Sequence, residues 1–102
     1  MRSKQYLRWV RQQPCVMCGA PADDAHHAVG QHKDLAGMAI KAGDEYAMPV
    51  CREHHNRIHQ DPALQYWQGF WLVQTLSRAL QSSQMDPAIT DVLNHTLEAL
   101  EQ

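Results

Sequence analysis

Apolar positions recur at helical spacing in three stretches of the chain. In residues 3–13, Tyr6, Leu7 and Val10 form one stripe, Ser3 is placed to cap the first turn, and Pro14 stops the helix. Asp61-Pro62 is a start signal, an acceptor side chain ahead of a proline at the first helical position. The helix it opens is predicted to run to about Gln81, with Tyr66, Phe70, Val73 and Leu80 on its core face and Trp67 and Trp71 beside them. Asp86-Pro87 repeats the signal, and Ile89, Val92, Leu93, Leu97 and Leu100 follow at helical spacing. Between the first two helices lie shorter elements. Ala25–Val29 and Tyr46–Val50 read as strands, 15–19 as a tight turn and Cys51–Gln60 as a short helix. Residues 30–43 hold three glycines and no clean period, so they read as a loop. A loop of that length in a small domain usually has a function or a ligand to fix it.

The chain has 102 residues, 44% of them apolar and 20% charged, which predicts one globular domain with a modest core. No apolar run approaches the roughly 18 residues of a membrane span. Met1-Arg2-Ser3-Lys4 is not followed by the apolar segment of a secretory signal. The expectation is therefore a cytoplasmic protein with no membrane partner, in a reducing compartment where thiols bind metal more often than they pair. The odd number of cysteines, three, agrees. A net charge of −2 does not favour nucleic acid, but it is unevenly spread. Arg2, Lys4, Arg8 and Arg11 precede the first acid, Asp23, whereas only acids follow Arg78. The front of the chain could face phosphate and the tail could not.

The chemistry lies in the cysteines and the seven histidines. Cys15-x-x-Cys18 directs two thiolates at one centre, and Cys51-x-x-His54 has the same internal spacing. Together they make a Cys₃His set suited to a tetrahedral structural zinc, which would staple a sheet too small to stand alone. His55 and His59 lie one turn apart on one helical face. His54 and His55 diverge by about 100°, so one can turn to the zinc and the other to a second site. His26 and His27, consecutive in a strand, point to opposite faces; one can ligate a metal while the other reaches a substrate water. His32 and His95 are read as ordinary surface residues.

Asp24-Ala25-His26-His27, the loop, and Met48-Pro49-Val50-Cys51-Arg52-Glu53-His54-His55-Asn56-Arg57-Ile58-His59 resemble an HNH endonuclease of the ββα-metal, or His-Me finger, class. With Pro14-Cys15 and the Cys-x-x-Cys, the stretch 14–60 is most similar to small phage and prophage nucleases related to the recombination-enhancement nuclease. The resemblance implies a ββα-metal motif with a zinc knuckle over 14–60; the helical periods add one helix before it and two after it, in a helical extension over 61–102 that carries no family motif, so the expected fold is α+β. The resemblance implies His27 as general base and His26, His55 and His59 as ligands of one catalytic divalent metal. Three imidazoles favour zinc, nickel or manganese over magnesium. Lys33, Lys41 and Arg57 are the candidate substrate-binding cations. One position departs from the family: the asparagine near the start of its second strand is replaced by Tyr46, after Asp44 and Glu45, and Asn56 does not match it. Asp44 could supply the same short-range hydrogen bonding.

The implied function is metal-dependent hydrolysis of DNA phosphodiester bonds by a phage or prophage enzyme. It would act as a monomer or weak homodimer, with a recombination or packaging protein as the candidate recruiting partner. The competing expectation is a non-catalytic zinc module that binds nucleic acid or a protein. It would keep the Cys₃His site and leave the other histidines inert.

Overall fold

The computed structural model describes residues 1–28 and 43–101. Helix α1 spans Lys4–Arg11, strand β1 Asp24–His27 and strand β2 Ala47–Val50. Helices α2 (Arg52–Gln60), α3 (Pro62–Tyr66), α4 (Gln68–Leu80) and α5 (Pro87–Leu100) follow. The architecture is α+β, a two-stranded antiparallel sheet enclosed by helices. Lys33, Lys41 and His32 lie outside the described residues.

The helix starts follow the capping chemistry. Ser3 Oγ accepts from the Tyr6 N–H, Asp61 from Ala63, and Asp86 from Ala88, the last two beside a proline in the first turn. Tyr6, Trp9 and Val10 of α1 are buried. In α5, Ile89 and Leu93 are buried, with Leu97 and Leu100 packed against the core.

The sheet register is Asp24↔Val50, Ala25↔Pro49, His26↔Met48 and His27↔Ala47. All four β2 residues are buried, because α1 and α4 pack against the strand. Pro49 costs the ladder nothing. Its carbonyl points away from β1 and accepts from the Val16 N–H at 3.0 Å, so the missing N–H would also have faced outward. That bond ties the Cys15–Gly19 turn to the sheet. The turn itself closes with Gly19 N–H to Cys15 O at 2.9 Å. Gly19 has φ of 79°, a conformation in which a Cβ is strained.

Three expectations need correction. The helix expected over 62–81 is two helices, so three rather than two follow the sheet unit. Trp67, at φ −87° and ψ 0°, breaks the run, and its N–H turns back to the carbonyls of Leu64 and Gln65. The predicted core face is also misplaced. Tyr66 and Phe70 are exposed, and the buried face is Gln68, Leu72, Thr75, Leu76 and Ala79. The break resets the helical phase, so a stripe counted continuously from Tyr66 falls on the wrong side. Finally, Tyr46 belongs to a single 3-10 turn over Asp44–Tyr46 that leads into β2.

The corrected face is directly testable. Leu76→Ala should cost about 2–5 kcal/mol, read as a lower urea midpoint with unchanged slope. Phe70→Ser should stay within about 0.5 kcal/mol of wild type.

Candidate metal centres

Two clusters of ligating side chains form around α2. In the first, the ligand atoms of Cys15, Cys18, Cys51 and His54 all lie within 4.8 Å of one another. Cys51 Sγ is 3.1 Å and Cys15 Sγ 3.9 Å from His54 Nδ1, and the Cys18 and Cys51 sulfurs are 3.9 Å apart. Four sulfur-type ligands at the zinc–sulfur distance would stand about 3.8 Å apart in a tetrahedron. The sulfurs are too far apart for a disulfide. Cys51 is the N-terminal boundary residue of α2, which brings its thiol and His54, one turn on, to the same end of the helix.

The Cys15 and Cys18 thiols shift in opposite directions. Burial pushes the Cys15 thiol up, but the backbone N–H groups of Cys51, Met17 and Cys18 outweigh it and the net shift is down, toward thiolate. At Cys18 the Ala20 N–H favours the thiolate, yet burial and the neighbouring Cys15 and Cys51 prevail and raise it. The set could hold a metal ion.

The second cluster is His26, His55 and His59, whose ligand nitrogens also lie within 4.8 Å of one another. The ring centroids make a near-equilateral triangle: 5.0 Å from His26 to His55, 5.2 Å from His26 to His59 and 5.0 Å between the two α2 rings. One helical turn places His55 and His59 on one face of α2, as expected, and β1 supplies His26 from across it.

Two of these rings are held from behind. His26 is 1% exposed, and its Nε2 lies 2.9 Å from Gln68 Oε1. The Gln68 amide nitrogen donates to the Gln65 carbonyl at 3.0 Å, which turns the amide oxygen toward the histidine. His26 Nε2 is then the protonated nitrogen, and Nδ1 keeps its lone pair for a ligand. Burial pushes the His26 pKa down to about 4, beyond what the Gln68 bond restores, and the neighbouring His55, His59 and His27 add to the shift. The ring is neutral at neutral pH, the form that ligates. His55 Nδ1 donates to Asp24 Oδ2 at 2.9 Å, leaving Nε2 as its ligand atom. Asp24 also receives Arg52 Nε at 2.8 Å and Nη2 at 3.0 Å. Arg52 first and His55 second hold its carboxyl below the usual range.

His27 points to the opposite side of β1, as strand alternation requires. Its Nε2 is 3.0 Å from Asp44 Oδ1. Asp44 is 4% exposed, and its other oxygen accepts the Ser3 N–H at 2.6 Å. Burial raises the Asp44 carboxyl, but Ser3 and His27 outweigh it and the net shift is down. Asp44 is thus a fixed acceptor that makes His27 Nε2 the donor and leaves Nδ1 as the base-competent nitrogen.

The remaining candidates divide. Arg57 is exposed and, two residues from both His55 and His59, projects from the other side of α2, about 200° around. The structure does not bring it to the triad. Asn56 is exposed on the same helix. His95 is exposed on α5 and bonds the Asp91 carbonyl. Two supporting residues escaped the sequence reading. Asp24 shares a strand face with His26, two residues on, a pattern that could have marked it. Gln68 depends on the break at Trp67 and has no local signal.

A family profile described as a protein of unknown function, DUF968, matches residues 1–83. The chain belongs to this family. Every residue of both DUF968 clusters, and Asp24, Asp44 and Gln68 behind them, falls inside the matched stretch. The uncharacterized protein YdfU of Escherichia coli (strain K12) is 50% identical over 58 residues, which are 57% of this DUF968 chain and 16% of YdfU. No solved structure matches. Among the described residues, no helix is long and apolar enough to cross a membrane.

The ring supports give a prediction. Gln68→Leu and Asp24→Asn should each weaken an exchangeable ion at the histidine triad by about 10–100-fold. The metal on the Cys₃His set should be unchanged, as read by titration with cobalt or nickel followed optically.

Proposed function

We propose that the chain is a metal-dependent endonuclease of the HNH, or ββα-metal, class, hydrolysing DNA phosphodiester bonds. The observation that carries the reading is the divergence of two consecutive histidines. His26 converges with His55 and His59 on one side of β1, while His27 stands on the other side with its Nε2 fixed by Asp44. The ribbon β1–β2 followed by α2 is then the ββα-metal unit. Cys15, Cys18, Cys51 and His54 are its structural zinc knuckle, a donor set that fits zinc in type and spacing.

In this reading His27 Nδ1 removes a proton from the attacking water as the new phosphorus–oxygen bond forms. The bond from phosphorus to the 3′ oxygen breaks, its electron pair leaves on that oxygen, and solvent supplies the proton. Asp44 keeps the imidazole in one tautomer. A divalent ion on His26, His55 and His59 would supply positive charge against the phosphate oxygens and the departing oxygen. Gln68 keeps the His26 ring, and Asp24 the His55 ring, aimed at the common point. The imidazole donors fit zinc, nickel or manganese better than magnesium. Asp44 accepts from the Ser3 N–H and orients the base, a role other than the loop tie expected of the missing family asparagine.

Two outcomes test this. His27→Ala should lower cleavage of plasmid and single-stranded DNA by about 10²–10⁴-fold across several divalent metals, with metal content and circular dichroism unchanged. A variant that cuts at the native rate would place the base elsewhere. Removing the knuckle metal, or Cys51→Ser, should unfold the domain rather than only inactivate it. A metal-stripped protein with the melting temperature of the loaded one would end the zinc assignment. One firmly held ion per chain and no second exchangeable ion would favour the non-catalytic zinc module.

A further inference from the structure

We propose that Tyr66, Trp67 and Phe70 form a stacking platform for unpaired nucleobases, directing a single strand toward the histidine triad. This rests on the nuclease reading and names its substrate form.

Among the described residues, the exposed large hydrophobic side chains are these three, at 61%, 54% and 54%. They are contiguous. Tyr66 and Trp67 are 6.4 Å apart at 83°, and Trp67 and Phe70 are 6.1 Å apart at 82°. Perpendicular rings make a corner. A flat base laid on one ring meets the second with its edge, the arrangement aromatic pairs prefer.

The backbone joins this corner to the triad. Trp67 is the residue at which α3 and α4 part, and Gln68, the next residue, is fully buried with its amide on His26. Consecutive Cα atoms are about 3.8 Å apart. The outward ring and the inward support of a triad ligand are thus neighbours on one rigid break. No charged residue occurs from Pro62 to Ser77, so the segment itself neither repels nor grips a phosphate backbone. Stacking, which every base permits, is the contact this surface can make.

Area argues against a second copy of the chain as the occupant. An aromatic side chain buries about 150–250 Å² in full. Three half-exposed rings therefore offer about 300 Å², well below the ~800 Å² per partner of a stable interface. The nearby apolar residues Leu64 and Trp71 pack inward against the core and add little.

The test uses the full chain with both sites metal-loaded, in a His27→Ala background that suppresses turnover. Labelled oligo(dT) and a blunt oligo(dT)·oligo(dA) duplex are titrated by fluorescence anisotropy. Trp67→Ala and Phe70→Ala should each weaken oligo(dT) binding by about tenfold, with Trp67→Phe close to the parent and duplex binding unmoved. Circular dichroism and metal content serve as folding controls, since both side chains are exposed. The proposal is overturned if oligo(dT) does not bind, or if the alanine variants bind it like the parent. It is also overturned if sedimentation shows a dimer that Trp67→Ala dissolves, because the patch is then a seam between copies. Plasmid cleavage by the wild-type chain is read separately. If it fails with every divalent metal while oligo(dT) binding still depends on Trp67, the nuclease reading falls and the platform stands. If the wild type cuts and the aromatic variants bind as it does, the platform falls and the nuclease reading stands.

Discussion

The antiparallel register of β1 on β2 is the constraint on which the site depends. Pairing His26 with Met48 and His27 with Ala47 turns one histidine into the space under α2 and α4 and the other toward Asp44. Side chains alternate with a period of two, so a slip of one residue would exchange the two histidines. It would drive His27 into the buried position and carry His26 away from His55 and His59. Four residues per strand are too few to hold a register by ladder bonds alone. The register is held from both ends of β2. Val16 and Asp23 donate to the carbonyls of Pro49 and Val50, and Ala28 donates to that of Tyr46. The cysteine cluster sits at the first of these ends, linking the turn before β1 to the start of α2.

Burying an imidazole is costly unless its polar atoms are satisfied. The fold meets that cost for His26 with one amide, and the amide is available only because the helix breaks at Trp67. Gln68 is 0% exposed in the first turn of α4, among residues that otherwise bury apolar surface. Gln65 extends the same chain of bonds by donating to the Ile58 carbonyl in α2. One line of hydrogen bonds therefore runs from α2 through α3 and α4 to β1. The ligand face of α2 and the ligand of β1 are set by the same short segment.

This explains what could be read from the chain and what could not. Capping signals at Ser3, Asp61 and Asp86 are local, and the helix starts follow them. The Cys15, Cys18, Cys51 and His54 set, and the His55–His59 spacing, are fixed by helical and turn geometry within a few residues. The cysteine cluster forms from the residues that those spacings single out, and His55 and His59 of the second cluster likewise; its third member, His26, was named by the family resemblance. Strand alternation alone separates His26 from His27. The core face of α4 was misjudged because helical phase was counted through Trp67, where the phase resets. Gln68 was invisible for the same reason, since its role is defined by a partner 42 residues away. Asp44 was singled out for short-range loop geometry, but the bonds it makes, to the Ser3 backbone 41 residues away and to His27, both depend on the fold. Arg57 was chosen for charge and proximity in sequence, and the helix turns it away from the triad.

The family match and the core do not end together. The match stops at residue 83, yet α5 begins at Pro87 and buries Ile89 and Leu93 against the face of α4 that carries Leu72, Leu76 and Ala79. The residues of both clusters and their supports all precede residue 83. β2, which packs against α4 from one side, does too; α5, which also packs against α4, does not. At roughly 25 cal/mol for each Å² of apolar surface removed from water, leaving that face uncovered would cost several kcal/mol, comparable to the whole stability of a small domain. In this chain α5 is an element that covers α4. The face it protects is constrained by Gln68, which must reach His26.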